Sequence, residues 1–186
     1  MNTRWMAAQA GESRWWGDCT HTWVEEMKQE MYAKKMGIDY DCRGRSVADI
    51  GGGPTSMLLR CRNRGESYVI DPCDYPNWVR ERYRELGIRY WKMCGEDVPE
   101  NALAVNEAWL YNVLQHVKDP ASVITRAKRF AKVIRIFEWL EIPEDIEHVH
   151  VLRRADLDRW LGGAGSVEEI NEPYCYRANA YYGVFS

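Results

Sequence analysis

The sequence predicts an α/β fold: a doubly wound, mostly parallel sheet with helices on both faces, an antiparallel C-terminal edge hairpin, and added N-terminal helices. Three observations predict it. Short apolar strands alternate with helical segments from Ser46 onward. The first strand runs into Gly51-Gly52-Gly53, where backbone without Cβ atoms can pass close to a ligand. The last two apolar strands have no helix between them, which favours antiparallel pairing.

Residues 3 to about 36 read as two helices. Trp5, Ala8, Trp15 and Trp16, then Trp23, Met27, Met31 and Ala33, recur near helical spacing. Gly17 interrupts the run and Gly37 stops the second helix. Residues 38–45 are polar and loop-like. A strand at 46–50 leads into a helix from Pro54 to about Asn63, proline being tolerated in a first turn. A second strand, 67–71, precedes a helix from about Asn77 to Leu86, which Gly87 closes. Ile88–Trp91 is a short third strand and Ala102–Trp109 the fourth. A helix over Ala121–Ala131 and an apolar strand over Lys132–Trp139 follow. Arg154–Leu161 is a short helix, and 166–172 and 177–185 are strands separated by Pro173.

At 186 residues the chain suits a single domain, with 1–45 as an N-terminal helical segment and 46–186 as the core. Hydrophobic content of 46% and charged content of 28% are ordinary for a soluble globular protein. A net charge of -3 argues against broad electrostatic binding of nucleic acid. Arg60, Arg62 and Arg64, and then Arg80, Arg82 and Arg84, read as a solvated helix face or a local basic patch. Cysteines at 19, 42, 61, 73, 94 and 175 form no Cys-x-x-Cys pair and suggest no zinc site. The expectation is a reduced, cytoplasmic protein with no apolar run of membrane-spanning length and no membrane partner.

The glycine loop narrows the ligand. A phosphate-cradling loop needs Lys-Ser or Lys-Thr after its last glycine, and none follows. A dinucleotide loop needs a third glycine where Ser56 stands. Asp71 ends the second strand 20 residues past Gly51, a spacing that suits a carboxylate gripping ribose hydroxyls. The remaining motifs are Asp49-Ile50-Gly51-Gly52-Gly53-Pro54-Thr55, Val69-Ile70-Asp71-Pro72, Gly95-Glu96-Asp97-Val98-Pro99, and Tyr111-Asn112-Val113-Leu114-Gln115-His116-Val117-Lys118-Asp119-Pro120. In this order, each at the C-terminal end of a predicted strand, they resemble the motifs of class I S-adenosylmethionine-dependent methyltransferases over roughly residues 46–160. Thr55 replaces the last glycine of that family's loop.

The resemblance implies a three-layer, Rossmann-like, seven-stranded sheet, S-adenosylmethionine as cofactor, and methyl transfer to an acceptor the sequence leaves open. It implies that Gly51, Gly52 and Gly53 meet the methionine portion of the cofactor. Asp49 orients that loop or meets the cofactor's amino group, directly or through water. Asp71 accepts from both ribose hydroxyls and Pro72 stiffens the loop against the adenine. Asp97, or alternatively Glu96, accepts from the adenine amino group. Tyr111 and Asn112 line the pocket near the sulfonium. His116 is a catalytic candidate that either faces the pocket or caps the following helix. Trp15 and Trp16 either form an aromatic wall on the substrate side or pack the N-terminal helices on the sheet. His148 and His150 alternate as metal ligands would, but no third ligand stands near, so no metal is expected.

Little chain is spare for recognising the acceptor, which points to a small molecule. Alternative readings are a non-catalytic cofactor-binding or partner subunit of the same fold and a nicotinamide-dependent reductase.

Overall fold

The computed structural model describes residues 3–16, 22–175 and 177–186, so the expected break at Gly17 lies outside the described residues. Two N-terminal helices, α1 (Thr3–Trp15) and α2 (Thr22–Met36), precede the sheet. Helix α2 ends at Gly37, whose φ of +67° turns the chain so that the Ile38 N–H donates to the Ala33 carbonyl at 2.8 Å.

The described residues form one seven-stranded sheet: β1 (Val47–Ile50), β2 (Ser67–Ile70), β3 (Ile88–Trp91), β4 (Val105–Tyr111), β5 (Ala131–Trp139), β6 (Ser166–Ile170) and β7 (Ala178–Phe185). The spatial order is β3-β2-β1-β4-β5-β7-β6. Strands β1 to β5 run parallel, and β7 pairs antiparallel with both β5 and β6. Three further helices are α3 (Asn77–Glu85), α4 (Pro120–Phe130) and α5 (Arg154–Leu161).

The strands are apolar on both faces because helices cover both faces. Ile50, Ile70, Leu110 and Ile136 point to one side and pack on Val123, Ile124 and Leu157 of α4 and α5. Val47, Val69, Trp109 and Phe137 point to the other and pack on Met31, Tyr32, Val79 and Tyr83 of α2 and α3. This is the three-layer arrangement the sequence predicts.

Two elements differ from expectation. No α-helix follows β1; residues 53–60 form two 3₁₀ turns, Gly53–Thr55 and Met57–Arg60, broken at Ser56. The backbone N–H of Ser56 donates to the Tyr83 hydroxyl at 3.1 Å, and that of Met57 to the Tyr111 hydroxyl at 3.2 Å. Two donors of the turn are thus satisfied by tyrosines from α3 and β4. The fourth strand also starts and ends later than expected. Residues 99–102 are spent on a turn, with Asn101 at φ +63°.

In α2, Trp23 and Met27 face solvent, whereas Glu25, Gln29 and Tyr32 are buried. The expected apolar stripe is therefore rotated on the helix. Five of the six clustered arginines have partners: Arg60 pairs with Glu30, Arg62 with Asp41 and Arg80 with Asp74, while Arg64 and Arg82 donate to backbone carbonyls. Among the described residues no helix is long and apolar enough to cross a membrane.

Phe137 is fully buried between Tyr32 and Trp139, with ring centroids at 4.4 and 5.2 Å. Phe137→Ala should lower unfolding free energy by about 3–5 kcal/mol, read by urea denaturation. A loss below 1 kcal/mol, measured on the same curves, would contradict this packing.

Candidate functional site

A cavity of about 180 Å³ opens at the C-terminal ends of the central strands. Strand β1 pairs with β2 on one side and β4 on the other, so the loops after it diverge there and leave a crevice. Gly51, Gly52, Asp71, Pro72 and Glu96 line one wall. Tyr111, Asn112 and His116 line a second. Helices α1 and α2 close the cavity from outside through Glu12, Trp15, Trp16, Glu25 and Tyr32.

The glycine loop is shaped by its neighbours. Gly51 has φ +74°, and a Cβ there would stand 2.2 Å from Val113 Cγ2. A Cβ on Gly52 would stand 2.7 Å from Asp49 Oδ2. Asp49 is fully buried beneath the loop and does not reach the cavity wall. Its Oδ2 accepts from the hydroxyls of Ser56 and Tyr111, and its Oδ1 has no partner among the described residues. Burial pushes its pKa up to about 7; the Asp71 charge adds to the shift and the two hydroxyl bonds oppose it.

Asp71 faces the cavity while gripping the loop. Its Oδ2 accepts from the Gly53 N–H at 3.1 Å and its Oδ1 from the Cys73 N–H at 2.9 Å. Burial raises its pKa despite these bonds. Gly53 lies just behind the wall, where the site of a Cβ falls 3.9 Å from the Trp16 indole.

The acidic pair after β3 divides. Glu96 turns inward: its Oε1 accepts from the N–H groups of Lys118 and Asp119 at 2.9 and 3.1 Å, and its Oε2 is buried without a partner among the described residues. Asp97 turns outward to Lys118, 3.5 Å away, and is not part of the cavity wall. Asn112, at φ +49°, follows β4 at the cavity.

His116 lines the cavity and does not cap a helix; the α4 cap is Asp119, whose carboxylate accepts from the Ser122 N–H at 3.2 Å. His116 Nδ1 lies 3.1 Å from Glu12 Oε1 and 3.1 Å from the Glu147 carbonyl. Burial alone would lower its pKa, but the Glu12 carboxylate outweighs burial and raises it. For Glu12 burial is again the largest effect and acts upward, yet His116 and the Trp16 indole N–H bring its pKa down. His148 and His150 do not converge. His148 Nδ1 meets Asp145 at 2.9 Å, and His150 Nε2 meets the Val117 carbonyl at 2.9 Å. Among the described residues no group of three His, Cys, Asp or Glu side chains could hold a metal ion.

Sequence reasoning missed Glu12 and the α2 residues Glu25, Lys28, Gln29 and Tyr32, all on the cavity wall. Their signal is a polar stripe at helical spacing, Glu25-Gln29-Tyr32, on a helix that also carries exposed apolar residues.

No family model matches the chain. It is 27% identical over 146 residues to an uncharacterized methyltransferase of Mycobacterium sp. strain KMS, covering 75% of this chain and 55% of that protein. The chain thus spans about half the length of the curated relatives it matches. Among solved structures it is similar to a Burkholderia thailandensis 1,6-didemethyltoxoflavin-N1-methyltransferase bound to that compound and S-adenosylhomocysteine. The TM-score is 0.67 at 12% identity, covering 97% of this chain and 87% of that one. It is also similar to an S-adenosylmethionine-dependent methyltransferase of Aquifex aeolicus, with a TM-score of 0.59 at 17% identity, covering 95% and 98%. The fold is that of the S-adenosylmethionine-dependent methyltransferases, as the motif order implies.

The two carboxyls at about 7, Asp49 and the fully buried Glu138, give a pH prediction. Both hold a proton in the folded state that the unfolded chain releases near its ordinary value. Their stabilisation is therefore present below about pH 4 and is lost as pH rises to 7, at about 1.4 kcal/mol per pKa unit. The melting temperature should fall between pH 5 and 8, and Asp49→Asn, which cannot ionise, should flatten part of that slope. An unchanged slope in Asp49→Asn would show that this carboxyl is ionised throughout.

Proposed function

We propose that this protein is an S-adenosylmethionine-dependent methyltransferase acting on a small-molecule acceptor. The observation that carries this reading is the buried Glu96 Oε2, an acceptor without a partner among the described residues, on the same cavity wall as a backbone cradle too tight for a Cβ at Gly51. A buried carboxylate oxygen without a donor is costly unless a ligand supplies one.

The residues fit the cofactor. Glu96 would accept from the adenine amino group, in place of Asp97. Asp71 keeps free lone pairs on both oxygens for the ribose hydroxyls. Gly51 and Gly52 would admit the methionine portion, with Gly53 and Asp49 shaping the loop from behind. Pro72 would border the adenine, and Tyr111 and Asn112 the transferring centre. When bound, the cofactor supplies an already activated methyl group, so the protein's task is chiefly to align donor and acceptor and exclude water.

Trp15, Trp16, Glu25, Gln29 and Tyr32 form the remaining wall, on the acceptor side. Helices within residues 1–45 would act as the acceptor cap over the core at 46–186. A cavity covered by α1 and α2 suits a small acceptor rather than a docked macromolecule. The compound named for the Burkholderia enzyme shows that this fold serves such acceptors in that protein.

Calorimetry tests the reading. S-adenosylmethionine and S-adenosylhomocysteine should bind, and NAD should not. Asp71→Ala removes two carboxylate-accepted bonds of about 1.5–3 kcal/mol each and should weaken binding roughly 100-fold or more. Heat from NAD alone, or from none of the three, would sink the cofactor assignment.

A second comparison separates the acidic pair. Glu96→Ala should weaken S-adenosylhomocysteine by about 10- to 100-fold, and Asp97→Ala should leave it nearly unchanged. The reverse order would restore Asp97 as the adenine partner.

A further inference from the structure

We propose that His116, oriented by Glu12, takes the proton from the acceptor, and that the acceptor therefore carries a hydroxyl group rather than an amine. This rests on the methyltransferase reading above and names the substrate class of the same site.

The tautomer follows from the neighbours. Two acceptors, Glu12 Oε1 and the Glu147 carbonyl, lie 3.1 Å from Nδ1. A nitrogen facing two acceptors carries the proton, so in the neutral ring Nε2 holds the free lone pair. Nε2 makes no hydrogen bond among the described residues, and His116 is one of the residues that line the cavity. Glu12 is itself fixed, because its second oxygen accepts from the Trp16 indole N–H at 3.1 Å. Trp16 in turn stands over Gly53 of the cofactor loop. One chain of contacts therefore places a carboxylate-backed imidazole beside the proposed donor and acceptor walls.

The groups facing the imidazole come from three elements. Glu12 of α1 touches it directly, Glu138 of β5 acts on it through charge when ionised, and His148, backed by Asp145, lies tilted at 46° with a centroid distance of 4.9 Å, from the segment after β5. The carboxylates outweigh burial and make the ring a stronger base than free histidine.

The balance is simple. The acceptor O–H proton moves to Nε2. The oxygen lone pair forms the bond to the methyl carbon, and the electrons of the carbon–sulfur bond remain on sulfur, which becomes a neutral thioether. The proton later leaves the imidazolium to solvent. A neutral amine acceptor already offers its lone pair and gives a buried base no role before attack.

The test uses the whole protein saturated with S-adenosylhomocysteine, with saturation measured first by calorimetry. A failure of that binding would count against the cofactor reading and is visible before the base is examined. The probe is 4-nitrophenol, whose anion absorbs visibly and whose neutral form does not. At a pH below the probe's own pKa, the wild type should show bound phenolate. His116→Gln should abolish the phenolate band while still quenching tryptophan fluorescence on binding. Glu12→Gln should reduce the phenolate fraction by about tenfold, one pKa unit of lost basicity. Histidine nitrogen NMR should show the Nδ1–H tautomer for neutral His116. An Nε2–H tautomer, a phenolate band that survives His116→Gln, or binding of the probe without any phenolate would overturn the assignment. Failure of the probe to bind would overturn the hydroxyl acceptor class.

Discussion

The site depends on a carboxylate that never reaches it. Asp49 sits at the end of β1 with no solvent, and its Oδ2 gathers the hydroxyls of Ser56 and Tyr111. Each of those residues then holds another part of the loop: Ser56 Oγ accepts from the Leu58 N–H at 3.1 Å, and the Tyr111 hydroxyl accepts from the Met57 N–H. Tyr83 completes the set by donating to the Gly53 carbonyl at 2.6 Å. A buried carboxylate without such partners would be strongly unfavourable. With them, it fixes the path of the glycine loop and leaves Gly51 and Gly52 on the cavity wall.

Much of the fold was legible in the sequence because strand and helix periods there agree with burial. The parallel strands read as short apolar runs, since both their faces are covered, and glycines 37, 87 and 162 end helices at positive φ. The turn after β1 was not legible. Pro54-Thr55-Ser56-Met57-Leu58-Leu59 carries a helix start and apolar residues, but the tyrosines that claim its N–H groups come from Tyr83 and Tyr111. Local propensity yields to partners that no nearby residue announces.

The candidate site shows the same division. The residues after β1, β2 and β4 stand in motifs, and the crevice between diverging strands brings Gly51, Asp71 and Tyr111 together. The resemblance could narrow the proposed adenine partner only to Glu96 or Asp97, because adjacent residues in a turn point in different directions and spacing does not say which one faces inward. Glu12 and the α2 stripe were hidden for another reason. Their partners, His116 and Thr55, lie far along the chain, and polar residues on a helix usually face water. Here they face a cavity, and the apolar Trp23 and Met27 take the solvent side.

The placement of β7 between β5 and β6 has a consequence for synthesis on the ribosome. Strand β5 emerges long before residues 178–185, yet its outer edge pairs only with them. Until then a nine-residue strand ending in Phe137, Glu138 and Trp139 has unpaired N–H and C=O groups along one side. A nascent chain of this topology carries an adhesive border from the completion of β5 until β7 emerges, and that interval is when the protein most needs shelter from its neighbours.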